Sequence, residues 1–142
     1  MTRHQVSAVI AQLIPHIMRG AHLDFFIQRE ITQTQFLLLV SIHAYGQCTM
    51  GELARQMHVS MPTASGVVNR LVHSGYVRRI DKPEDRRQVL VELTAKGKGF
   101  IRKFQDVVQR RWEEVLIGLS QVELLTLFRV VSALQERLRM EL

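Results

Sequence analysis

Apolar residues recur along this chain at two different periods, and those periods predict six helices and a pair of strands. Val6, Val9, Ile10, Leu13, Ile14, Ile17, Met18 and Ala21 alternate at spacings of three and one, the stripe of an amphipathic helix. Pro15 falls inside that stripe. Proline lacks an amide hydrogen and crowds the preceding turn, so a kink or a fresh start is expected there. A second helix opens at Thr32-Gln33-Thr34-Gln35, where a Thr hydroxyl and a Gln three residues on can cap each other's backbone donors. It carries Phe36, Leu39, Val40 and His43 and ends near Gly46. The same device, Thr49 with Glu52, starts a short third helix that buries Leu53, Ala54 and Met57 and stops around His58.

A fourth helix follows Ser60, a favoured N-cap, with Pro62 tolerated because first-turn amides have no helical partner. Ala64, Val67, Val68 and Leu71 share one face, and Gly75 closes the helix. The period then shortens: Tyr76 to Ile80 and Val89 to Leu93 read as strands, and the charged turn 81–88 makes them a hairpin. Thr94 caps a long fifth helix bearing Phe100, Ile101, Phe104, Val107, Val108, Trp112, Val115 and Leu119. Ser120 with Glu123 starts a sixth, with Leu124, Leu127, Phe128, Val131, Leu134 and Leu138 on one stripe. The fold class is therefore mostly α with a small β-hairpin wing: a winged helix-turn-helix lobe, residues 35–95, and a helical dimerisation region, residues 1–31 and 96–142.

Composition narrows the function. The 142 residues fit one domain. No apolar run approaches the roughly 18 residues a membrane span needs, and the start lacks a secretory pattern, so a cytoplasmic protein is expected. One cysteine, Cys48, excludes an internal disulfide and a multi-thiolate zinc site. Residues 61–103 hold ten basic side chains against four acidic ones, a net +6, and the rest of the chain is neutral. A basic middle section on a neutral scaffold suits a polyanion, because neutralising phosphates supplies most sequence-independent affinity for nucleic acid.

The order short helix, turn, helix, hairpin is that of a helix-turn-helix with a wing, whose second helix must be slim enough to enter a major groove roughly 12 Å wide. Opposite the apolar stripe of the fourth helix lie Pro62, Ser65, Gly66, Asn69 and His73, flanked by Thr63 and Arg70. A helical glycine costs about 1 kcal/mol relative to alanine. Gly66 is therefore better explained by close approach to DNA than by folding. Asn and Arg can make bidentate bonds to adenine and guanine edges. In the wing, Asp85 can hold the guanidinium of Arg87 extended beside Arg86, suiting a narrow minor groove.

The run Leu53, Val59-Ser60, Leu71, Gly75-Tyr76-Val77, Arg79, Asp85-Arg86-Arg87 and Val91-Glu92-Leu93-Thr94-Ala95-Lys96-Gly97 resembles the MarR family of bacterial regulators. Its most recognisable parts are the Asp-Arg-Arg wing and the Leu-Thr-x-x-Gly entry to a long helix, and essentially the whole chain fits. The resemblance implies a triangular homodimer with DNA-binding lobes at two corners and, in many members, an effector pocket between lobe and dimer helices. It supports contacts to double-stranded DNA from Ser60, Pro62, Thr63, Ser65, Asn69 and Arg70. It also supports a minor-groove role for Arg86 and Arg87, oriented by Asp85.

The terminal stripes, Val6, Val9, Ile10, Leu13 and Ile14 with Leu127, Phe128, Val131, Leu134 and Leu138, would leave a large apolar area bare in a monomer. Pairing across a two-fold axis buries it and sets two recognition helices about 34 Å apart, so the target is a near-palindrome. Candidates to line an effector pocket are His16, Met18, His22, Phe26 and His43, with Phe25 and Trp112 as further aromatics. The six histidines lack the three- or four-residue pairing of metal ligands on one helical turn, so no metal or other cofactor is expected. Cys48 reads as a partly buried, inert thiol. No nucleophile elbow, phosphate loop or carboxylate pair stands out, and an enzyme is not expected. The expected function is a repressor released by a small molecule. The rivals are a sequence-tolerant DNA-compacting or RNA-binding winged helix and a protein-interaction adaptor.

Overall fold

The computed structural model describes residues 1–19, 25–26, 28–81, 84 and 88–140. In chain order its elements are α1 (Arg3–Met18), α2 (Gln33–Tyr45), β1 (Gln47–Thr49), α3 (Met50–Gln56), α4 (Met61–His73), β2 (Val77–Asp81), β3 (Val89–Leu93), α5 (Ala95–Leu116) and α6 (Gln121–Met140). The mostly helical architecture with a hairpin wing is the one the periodicity predicts. Helix α1 runs through Pro15 to Met18 as a single element, with no fresh start. The capping boxes at Thr32 and Thr49 are both formed, each hydroxyl accepting from the amide three residues on and each Gln or Glu side chain accepting in return. Ser120 and Glu123 make the same exchange ahead of α6.

The hairpin is part of a three-stranded antiparallel sheet in the order β1-β3-β2. Strand β1 is absent from the sequence reading because three residues between Gly46 and a capping box are too few to show alternation. Its register places Cys48 opposite Val91, and Arg79 of β2 lies opposite Val91 from the other side.

The chain folds as two compact units, residues 19–106 and residues 1–18 with 107–142. In the first, Leu38, Leu39, Ile42, Leu53, Val68, Leu71, Val77 and Val91 are fully buried. Phe25, Phe26, Phe36, Phe100 and Phe104 form an aromatic cluster with centroids as close as 4.7 Å, extended by Tyr76 at 5.6 Å from Phe100. Helix α2 buries Leu38, Leu39 and Ile42, while Val40 and His43 of the expected stripe are exposed. Its sequence, apolar on every side, gives periodicity nothing to choose between. Met57 is only half-buried because α3 ends before it, and Leu119 lies beyond the end of α5. In the second unit the ten apolar residues expected at a dimer interface are all exposed, from Leu127 at 36% to Phe128 at 69%. Among the described residues no helix is long and apolar enough to cross a membrane.

Candidate nucleic-acid interface

The turn between α3 and α4 is set by His58. Its φ of 53° is left-handed, and it lets the amide of Val59 reach back to the carbonyl of Ala54 at 3.0 Å and its own amide to Arg55 at 3.2 Å. Those two bonds satisfy carbonyls that the end of α3 would otherwise leave open, the arrangement usually built on glycine. Ser60 then caps α4, its hydroxyl accepting from the amide of Thr63 at 3.3 Å. At the far end Gly75, φ 82°, repeats the closing turn: Tyr76 donates to Leu71 at 2.9 Å and Gly75 to Val72 at 3.0 Å. Helix α4 is thus held at both ends by local chemistry visible in the sequence.

Between those ends its two faces differ as the pattern predicts. Ala64, Val67, Val68 and Leu71 are buried. Pro62, Thr63, Asn69, Arg70 and His73 are exposed and Ser65 and Gly66 half-buried, so the small polar face looks outward. A side chain added at Gly66 would meet nothing within 4 Å. Packing inside the protein does not require a glycine there.

Strand β2 brings a residue to this face that the sequence reading did not assign to it. Side chains alternate along a strand, so Arg79 lies on the same side of β2 as the buried Val77. It is exposed, and its Nη2 donates to Oδ1 of Asn69 on α4. The signal available in the sequence was that two-residue spacing from Val77. Its neighbour Arg78 points to the other side and pairs with Glu92 in the central strand, whose second oxygen accepts from Gln47 of β1 at 2.9 Å. The hydrogen bonds from Gln47 and then Arg78 hold the Glu92 carboxyl below its ordinary range, so the tie across all three strands persists into mild acid.

The C-terminus of α4 is fastened to α5. Lys96 Nζ donates to the carbonyl of Ser74 at 2.7 Å, and its ammonium lies 4.4 Å from the Tyr76 ring centroid. Thr94 donates its amide to Tyr76 at 3.1 Å, and its hydroxyl accepts from Gly97 at 3.2 Å. Gly97 sits so close that a Cβ there would lie 2.2 Å from the Tyr76 carbonyl oxygen. The Thr-x-x-Gly entry therefore works as a backbone-to-backbone joint.

Asp85, Arg86 and Arg87 lie outside the described residues, as does His22. Of the other effector candidates, His16 is exposed, Met18 is half-buried, and Phe26 packs at 4.8 Å against Phe36 in the aromatic cluster. His43 lines a cleft of about 480 Å³ with Ile42, Gly46, Gln47, Glu92, Leu93, Lys98 and Arg102. Cys48 is fully buried in the sheet, and its burial, with the Glu52 carboxylate second, pushes its thiol up to about 11. Native protein at pH 8 is therefore expected to react with a thiol reagent far more slowly than urea-unfolded protein. A raised thiol pKa also means that the folded state keeps a proton the unfolded chain gives up above its ordinary value of 9.0. Stability should be unaffected by this group below pH 9 and fall as pH rises from 9 to about 11. Comparison of urea midpoints with Cys48→Ala isolates the effect, and identical pH profiles would refute it.

A model of the MarR family matches residues 31–89, from the end of the segment before α2 to the start of β3. The multiple antibiotic resistance protein MarR of Escherichia coli is 33% identical over 105 residues, which cover 73% of this chain and 73% of that protein. The chain belongs to the MarR family. The chain is also similar to the uncharacterized HTH-type transcriptional regulator YfiV of Bacillus subtilis, 26% identical over 113 residues, 80% of this chain and 71% of that protein. The fold is shared with a transcriptional regulator from Thermotoga maritima whose crystal structure aligns at a TM-score of 0.82 and 22% identity, over 98% of this chain and 97% of that one. The family model covers α2 to the start of β3, the stretch that holds α4 and Arg79.

Proposed function

We propose that this MarR-family transcriptional regulator is a sequence-specific repressor. In this reading it occupies near-palindromic duplex DNA as a homodimer, in the cytoplasm, without catalysing a reaction. The observation that carries it is the outward face of α4, made of small and polar residues while the opposite face is buried. Such a face fits against base edges in a major groove. Ser60, Pro62, Thr63, Ser65, Asn69 and Arg70 supply the contacts there, and Asp85, Arg86 and Arg87 supply the wing's grip. Residues 35–95 act as the DNA-binding lobe, and 1–31 with 96–142 as the dimerisation region.

The homodimer is supported by the bare apolar stripes. Val6, Val9, Ile10, Leu13 and Ile14 on α1, and Leu127, Phe128, Val131, Leu134 and Leu138 on α6, are exposed in the single chain. An apolar area of that extent marks an interaction surface, and a two-fold partner doubles the number of recognition helices. Release by a small molecule would act by changing the separation of the two lobes, provided the ligand binds the released arrangement more tightly. Selecting fragments of the source genome on the purified protein tests the proposal. Recovery of a few near-palindromic sites is expected. Uniform recovery of all fragments would instead show a DNA-compacting protein, and recovery of none an adaptor.

A further inference from the structure

We infer that Arg79 sets the base preference of Asn69 by turning its amide so that the nitrogen, and not the oxygen, is presented to DNA. The inference rests on the reading of α4 as the recognition helix and concerns which base it selects. A guanidinium has donors and no acceptor, so the only atom of an Asn amide that can face it is the oxygen. The structure places Arg79 Nη2 against Asn69 Oδ1, and both side chains lie on the exposed surface. The side of β2 that carries Arg79 is the side that carries buried Val77, which directs the guanidinium to α4.

An unrestrained asparagine reads adenine in a bidentate way, its oxygen accepting from N6 and its nitrogen donating to N7. With its oxygen already accepting from Arg79, Asn69 keeps two N–H donors, and the one lone pair left on that oxygen is a weakened acceptor for completing that pair. The guanidinium also sets a positive charge beside the amide. That charge opposes the N6 amino group of adenine and suits the O6 and N7 acceptors of guanine. Asn69 therefore selects guanine at its base pair, and Arg79 is the positioning residue that makes it do so.

Selection from a fully randomised duplex pool by the full chain tests this, with wild type, Asn69→Ala, Arg79→Met and Arg79→Gln run side by side at low salt, where loss of one cation weakens phosphate attraction least. Wild type is expected to enrich guanine at one position of each half-site, and Asn69→Ala to flatten that position alone. Arg79→Met should reduce the ratio of guanine to adenine there at least tenfold while leaving other positions as in wild type. Arg79→Gln, which can turn either amide atom toward Asn69, should do the same and covers the case in which Arg79→Met does not fold. Adenine at that position in wild type, an unchanged ratio in the Arg79 variants, or a uniform loss at all positions would overturn the inference. Wild-type preferences at every position in Asn69→Ala would overturn the inference as well, since Asn69 would then read no base, whereas a wild-type selection that enriches no position at all would be a failure of the underlying reading.

Discussion

Replacing Gly97 with alanine is expected to destabilise the protein by about 2 kcal/mol or more, although alanine is the better helix former by about 1 kcal/mol. The sign follows from where the added carbon would sit: 2.2 Å from the Tyr76 carbonyl oxygen and 3.2 Å from Leu93 Cδ2. Neither the carbonyl nor the helix can yield cheaply, since Tyr76 accepts the Thr94 amide while Thr94 caps the first turn of α5. Relief of the clash must open the joint that ties the end of α4 to the start of α5. Gly99 is the control, because a Cβ there meets nothing within 4 Å, and Gly99→Ala should be neutral or stabilising by up to about 1 kcal/mol. Urea unfolding of the three proteins checks both, and equal midpoints for Gly97→Ala and wild type would refute the joint.

Gly66→Glu is expected to separate folding from function. A side chain at residue 66 enters open space, and replacing a helical glycine raises stability by up to about 1 kcal/mol. The same change sets a carboxylate on the slim face of α4, where it would oppose phosphates and keep the helix out of the groove. Like charges brought together across an interface cost several kcal/mol, so DNA affinity should fall by about a hundredfold or more. Gly66→Ala, with one methyl and no charge, should bind more weakly than wild type where the helix approaches DNA closely, and should lose less affinity than Gly66→Glu. Fluorescence anisotropy on a selected duplex, paired with a thermal melt, reads the two effects together. A Gly66→Glu protein that melts no lower and binds as wild type does would remove α4 from the interface.

The helix ends and the buried side of α4 were legible because each rests on local chemistry. Thr32 with Gln35, Thr49 with Glu52, and Ser60 ahead of Pro62 announce helix starts, and Gly75 announces a stop. Ala64, Val67, Val68 and Leu71 recur at spacings that only a helix brings to one side. Helix α2 was harder, since Leu37, Leu38, Leu39 and Val40 are consecutive and tertiary packing alone picks Leu38 and Leu39 for the core. Strand β1 was hidden for a related reason: it is specified by its partner β3 and not by its own three residues. Arg79 was legible as a basic residue but not as the partner of Asn69, because a contact between a strand and a helix ten residues apart depends on how the two pack. The exposed stripes of α1 and α6 were legible as apolar faces without a home in the chain, and the fold leaves them bare.

The groove-facing role of α4 is met most directly by methylation interference on a duplex selected by the wild-type protein, since a methyl group at guanine N7 projects into the major groove. Two helices of a two-fold dimer should give two clusters of interfering guanines, centred about one helical turn, or some 10 base pairs, apart. Bound duplex that carries N7-methylguanine at every position as often as free duplex does would contradict the account.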